Sequence, residues 1–123
     1  MNIFVLDWDV KKCAEYHNDK HVVKMILETA QLLCGVHHIV NNDNTDIPYK
    51  LSHKNHPCSI WARESLTNYL WLCELGLELC KEYTYRYGKR HKSLDVIVKD
   101  TKDKVITQKE ANEKIDELVK NLN

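Results

Sequence analysis

Apolar residues begin to recur in a helical rhythm at Val10. Val10, Cys13 and Ala14 are followed by Val22, Val23, Ile26, Leu27, Ala30, Leu33 and Cys34 at spacings of three and four, which predicts a helical stretch with one apolar face. Asp9 stands where an N-cap belongs, and Asn18 and Asp19 offer a break at which one of them caps a second piece. Ahead of it, Asn2 to Asp7 is short, apolar and β-favouring, and reads as a brief strand or a buried extended arm. Gly35 and the polar run 41–48 close the helix in a loop. Pro57 suits the first turn of a second long helix, because its missing N–H costs nothing there. Ile60, Leu66, Tyr69, Leu70, Cys73, Leu77 and Cys80 give that helix an apolar side as far as about Tyr87, with Gly76 weakening its middle and Gly88 ending it.

The tail changes character. Asp95 to Ile106 alternates β-branched and charged residues, the pattern of a small hairpin. Thr107 to Glu110 has the form of a capping box, and Ala111, Ile115, Leu118, Val119 and Leu122 share one face of a final helix behind it. The expected fold class is mainly α. It is a compact single domain over residues 1–123, with two long helices plus a C-terminal helix, a short N-terminal extended arm, and a small β-hairpin in a divergent tail over 93–123.

Composition narrows the field. A chain of 123 residues suits one core, and 43% apolar with 29% charged residues exclude global disorder. No apolar run nears the roughly 20 residues of a membrane helix. Asp7 and Asp9 interrupt the one apolar N-terminal stretch, so no signal peptide is expected. Five cysteines, an odd number without a C-x-x-C pair, fall mostly at apolar helical positions and read as reduced core residues of a cytoplasmic protein. Lysine and arginine balance aspartate and glutamate at 18 each, which argues against non-specific coating of nucleic acid but leaves room for a local basic patch.

Functional groups are densest from Tyr16 to His21. His17, His21, Lys24, Glu28 and Gln31 are spaced four, three, four and three, which aligns them along one side of a helix. Histidine, lysine and glutamate so arranged supply an acid, a base and an electrostatic stabiliser, with His56 placed just before the facing helix. A lysine whose pKa is lowered by neighbouring positive charge serves as an amine nucleophile. Two other readings stay open: Lys24 and Glu28 as a plain surface ion pair, and His17 and His21, completed by His53 or His56, as ligands of zinc or another divalent metal. Further on, Tyr83, Tyr85 and Tyr87 interleave with Arg86, Lys89, Arg90 and Lys92. Rings stack on bases and cations hold phosphates, although cations there also complement a helix dipole. Lys20 and Arg63 are further candidate phosphate contacts, and Trp61 reads as core.

Asn55-His-Pro-Cys-Ser-Ile-Trp61, followed by Tyr69, Leu77, Cys80-Lys-Glu-Tyr83 and Tyr85-Arg-Tyr-Gly88, resembles the second half of the pyrimidine-dimer DNA glycosylases of the phage endonuclease V type. The first half is similar in outline, with an apolar arm leading into a helix that bears a histidine at His17. The run from Tyr16 to Glu28 is also similar to uncharacterised phage and large-virus proteins associated with that group. The resemblance covers roughly residues 2 to 92. It implies a protein that acts on a damaged or modified pyrimidine base in DNA, without a cofactor, and that has AP-lyase chemistry. A base inside a duplex must be flipped out to be reached. His17 and His21 would be acid/base or phosphate contacts, Lys24 or Lys20 the amine, and Glu28 the stabiliser of positive charge on the sugar, with His56 facing them. Lys20, Arg63, Arg86, Lys89, Arg90 and Lys92 would hold DNA.

Three departures stand out. The family attacks with an N-terminal amine exposed when Met is removed ahead of a small residue, and residue 2 here is Asn. Its catalytic glutamate lies seven residues past the helix-one histidine, where this chain has Lys24, with Glu28 one turn further on. Its aromatic C-terminal DNA-contacting segment is replaced by 95–123. Beside the glycosylase reading stand a metal-dependent hydrolase or nucleotide-modifying enzyme using His17, His21, His53 and His56, and a non-catalytic nucleic-acid-binding module on the same scaffold.

Overall fold

The computed structural model describes residues 2–40 and 47–102. Among them are five helices and no strand: α1 (Val10–Tyr16), α2 (Asp19–Val40), α3 (Pro57–Glu64), α4 (Leu66–Tyr87) and α5 (Leu94–Lys102). The fold is mainly α, and α2 and α4 are its two long helices, 22 residues each. They pack on each other, with α1 and α5 against α4 and α3 against α2. Residues 2–8 form an extended arm with no strand partner. It is held where the Cys13 thiol donates to the Phe4 carbonyl (3.2 Å) and the Trp71 indole to the Trp8 carbonyl (2.9 Å).

Capping chemistry explains the boundaries. The Asp9 carboxylate accepts from the Lys11 and Lys12 amides and starts α1. Asn18 accepts from the His21 amide at 2.8 Å and opens α2, so the first helical stretch is two helices. The second stretch is also two. Ser65 takes an extended conformation (φ −150°, ψ 156°), and its hydroxyl accepts from the Asn68 amide, ending α3 and starting α4. Gly88 closes α4 at φ 65°, a left-handed conformation that suits glycine.

The expected hairpin is corrected: residues 94–102 are helical. Ile97 and Asp100, three apart, are the buried residues of α5, and packing that face against α4 and α2 outweighs the β preference of Val96, Ile97 and Val98. Gly76 makes this possible. A Cβ there would lie 3.0 Å from Thr29 Cγ2 and 3.2 Å from Ile97 Cδ1, so the glycine lets α2 and α5 close on α4 rather than merely weakening it. Residues 103–106 of the expected hairpin, the C-terminal helix over 107–122 and the loop 41–46 lie outside the described residues.

The core is broader than one stripe per helix. Met25, Leu32 and Val36 are buried on α2, whereas Val23 and Leu27, expected inside, are exposed. Leu72, Leu75 and Leu79 are buried on α4, whereas Ile60 and Leu70 lie outside. Helices gripped on several sides bury more than one face. All five cysteines are free, and only Cys58 escapes full burial. Burial raises the thiols of Cys34 and Cys80 to about 12 and that of Cys73 to about 11.

Candidate active site

His21, Glu28 and Gly35 are seven residues apart on α2. At about 100° per residue, each step of seven returns to within about 20° of the same side. One end of this face is covered by the arm, where the Phe4 ring lies 4.8 Å from that of His21. The other end is covered by the connection to α3. The Leu51 side chain lies 3.7 Å from where a Cβ on Gly35 would sit, and His38 Nε2 donates to the Tyr49 carbonyl at 2.6 Å. Glu28 stands midway, about 10 Å along the axis from each cover. It is half-buried, and its Oε2 is fully enclosed without a hydrogen-bond partner. Lys24, one turn before it, is exposed, as is Lys20.

His17 is not on a solvated edge, where the spacing puts it. It is the C-cap of α1, 3% exposed, with its ring 6.1 Å from that of Phe4. Nδ1 donates to the Cys13 carbonyl at 2.6 Å, an acceptor that demands a protonated Nδ1. In the neutral ring Nε2 is then a bare acceptor, and it too is buried without a partner. Burial lowers the His17 pKa below 6.5. The Cys13 bond opposes that shift, while the positive charges of His21 and Arg86 add to it.

On the facing side, His56 caps α3 through Nδ1, which accepts from the Cys58 amide at 3.1 Å. Arg63 donates to the Lys54 carbonyl at 2.7 Å, and His53 is exposed with its backbone in the left-handed region (φ 51°). α2 packs directly on α3. No hydrogen bond or ion pair joins Lys24 or Glu28 to His56 among the described residues. Nor are any three His, Cys, Asp or Glu side chains there grouped to hold one metal ion, and His17, His21, His53 and His56 lie within that set.

At the far end of α4 the basic residues divide. Arg86, 18% exposed, is tied to Asp19 (3.0 Å), Glu82 (2.9 Å) and the Glu15 carbonyl (3.1 Å), and so joins α4 to the start of α2. Arg90 pairs with Asp95. Lys89 and Lys92 are exposed. Of the tyrosines, Tyr85 stands 85% exposed, while Tyr83 packs on Tyr87 and on His91, whose Nε2 donates to the Val23 carbonyl.

Two features escape the sequence reading. One is Phe4, whose ring lies against both histidines of the stripe. The other is a buried polar junction of α2, α4 and α5. His37 Nε2 donates to the Tyr69 hydroxyl (2.6 Å), which donates to the Asp100 carbonyl (2.6 Å), while the Cys34 thiol donates to the Asp100 carboxylate (3.3 Å).

The profile of the pyrimidine dimer DNA glycosylase family matches residues 1–95, from the arm through both long helices to the first turn of α5. The chain belongs to that family. Comparison with curated proteins and with solved structures gives no match.

Proposed function

We propose that the protein excises a damaged pyrimidine base from DNA and that Glu28 is the group around which the site is built. The observation that carries this reading is the Glu28 carboxylate. It has an enclosed, unpartnered oxygen on the face of α2 left between arm and connection, in a chain of a DNA glycosylase family. A carboxylate fixed in an enclosed site stabilises positive charge as it grows at the sugar carbon losing its base. His17, neutral and with its tautomer set by Cys13, carries Nε2 as a buried, unpartnered acceptor. An amine attacking the same carbon displaces the base to form an aminal, and opening of the sugar's C1′–O4′ bond then gives the imine that leads to strand cleavage. Lys24 and Lys20 are the candidate amines on α2, beside the amine that opens the arm. DNA would be held by the exposed Lys89, Lys92 and Tyr85, and the target base would leave the stack to reach Glu28.

The test is release of alkali-labile sites from a duplex carrying a cyclobutane pyrimidine dimer. The reading expects cleavage at the dimer, and a duplex left intact at stoichiometric protein would overturn it.

A further inference from the structure

We infer that Leu27, backed by Val23 one turn before it, enters the DNA duplex as an apolar wedge and fills the space of the base drawn out towards Glu28, a role that rests on the excision reading above. The open side of α2 carries the pair. At about 100° per residue, Lys20, Val23, Lys24, Leu27 and Gln31 share a sector about 100° wide, and none of the five is buried. Val23 is 39% and Leu27 41% exposed, on a side otherwise made of lysine and glutamine. One exposed leucine is ordinary in a globular domain. Two apolar side chains aligned among cations suit a partner that is anionic outside and apolar within, as bases stacked behind phosphates are.

Charge complementarity favours that partner on both flanks. Lys20 and Lys24 are exposed beside the pair on α2. Past Val23, the turn between α4 and α5 is tied to α2. There His91 Nε2 donates to the Val23 carbonyl at 3.2 Å, and its Nδ1 accepts from the Ser93 amide at 3.1 Å. The turn presents the exposed Lys89 and Lys92. Asp19, the acid that opens α2, is paired with Arg86 and so does not oppose a phosphate there.

Sequence order places the wedge against the chemistry. Glu28 follows Leu27 directly, and Lys24 falls between the two around the helix. A base that leaves the stack for Glu28 therefore leaves its gap in front of Leu27. Apolar side chains inserted at such a step hold it unstacked.

Two readouts test the wedge. The first is single-turnover base release from a cyclobutane pyrimidine dimer, either paired with adenines or set opposite tetrahydrofuran abasic analogues. An unpaired dimer needs little help to leave the stack, so Leu27→Ala should slow release at least about tenfold on the paired duplex and by less than about twofold on the other. Leu27→Met should restore the paired rate. The second readout requires no cleavage: 2-aminopurine beside the dimer should brighten when the unsubstituted protein binds, and by less than half as much with Leu27→Ala. Equal slowing on both duplexes marks a structural role and overturns the wedge, as does release unaffected by Leu27→Ala. If the unsubstituted protein releases no base, the excision reading fails by itself. The fluorescence then decides the wedge, and equal brightening by both proteins rejects it.

Discussion

His17 donates its Nδ1 proton to the Cys13 carbonyl at 2.6 Å, one turn back along α1, and this bond decides what the rest of the ring can do. It leaves Nε2 as an acceptor in a closed space, where charging the ring means charging a buried group.

A pH dependence follows. His17 titrates below 6.5 in the folded protein, chiefly because burial penalises its charge, and His91 is lowered by burial too. As pH falls through 6.5 the unfolded chain takes up these protons first, so stability present above 6.5 is lost below it. Urea denaturation should show a stability that is level above 6.5 and declines in acid. His17→Asn should make the decline shallower. An unchanged slope in that variant would contradict the burial argument.

Arg86 and the neighbouring lysines should behave differently, although sequence groups them. Arg86 bridges Asp19, Glu82 and the Glu15 carbonyl, so Arg86→Ala should cost about 1–2 kcal/mol of stability, the low end reflecting the exposure of Asp19. Lys89→Ala and Lys92→Ala should leave stability within about 0.5 kcal/mol. They should instead lower the salt slope of DNA binding by about one for each phosphate deprived of its cation. Denaturation curves and binding at several salt concentrations separate the two effects.

The buried junction carries the largest expected loss of stability. Asp100 and His37 are each 2% exposed, and Asp100→Ala removes the carboxylate that accepts from the Cys34 thiol and lies 3.8 Å from His37 Nε2, while keeping the carbonyl that accepts from Tyr69. Asp100→Ala should cost about 1–3 kcal/mol, measured by chemical denaturation. A loss below about 1 kcal/mol would mean that solvent reaches the junction.

The legible parts of this molecule are those written in local chemistry. Asp9, Pro57 and Gly88 mark helix ends because each acts on backbone within one turn. Ser65 acts the same way, but a continuous apolar rhythm on both sides hides it. The β-branched residues of α5 hide that helix. Its sign is Asp100 three residues after Ile97, an acid on the apolar face that a helical reading marks as inward. The stripe of His21, Lys24 and Glu28 is visible from spacing, since one helix carries it all. Spacing misplaces His17 because the chain breaks at Asn18 and turns that ring inward. Spacing within α2 also says nothing of Phe4, which reaches the stripe from another part of the chain.

Glu28 is where the functional account is most exposed to test. The decisive measurement is single-turnover base release from a duplex with one cyclobutane pyrimidine dimer, made with the unsubstituted protein and with Glu28→Gln, alongside DNA binding by both. Losing the charge while keeping the shape should slow release at least about 100-fold with binding nearly unchanged. Borohydride should trap a protein–DNA adduct only with the unsubstituted protein. Equal rates of release by the two proteins would contradict the account and remove Glu28 from the chemistry.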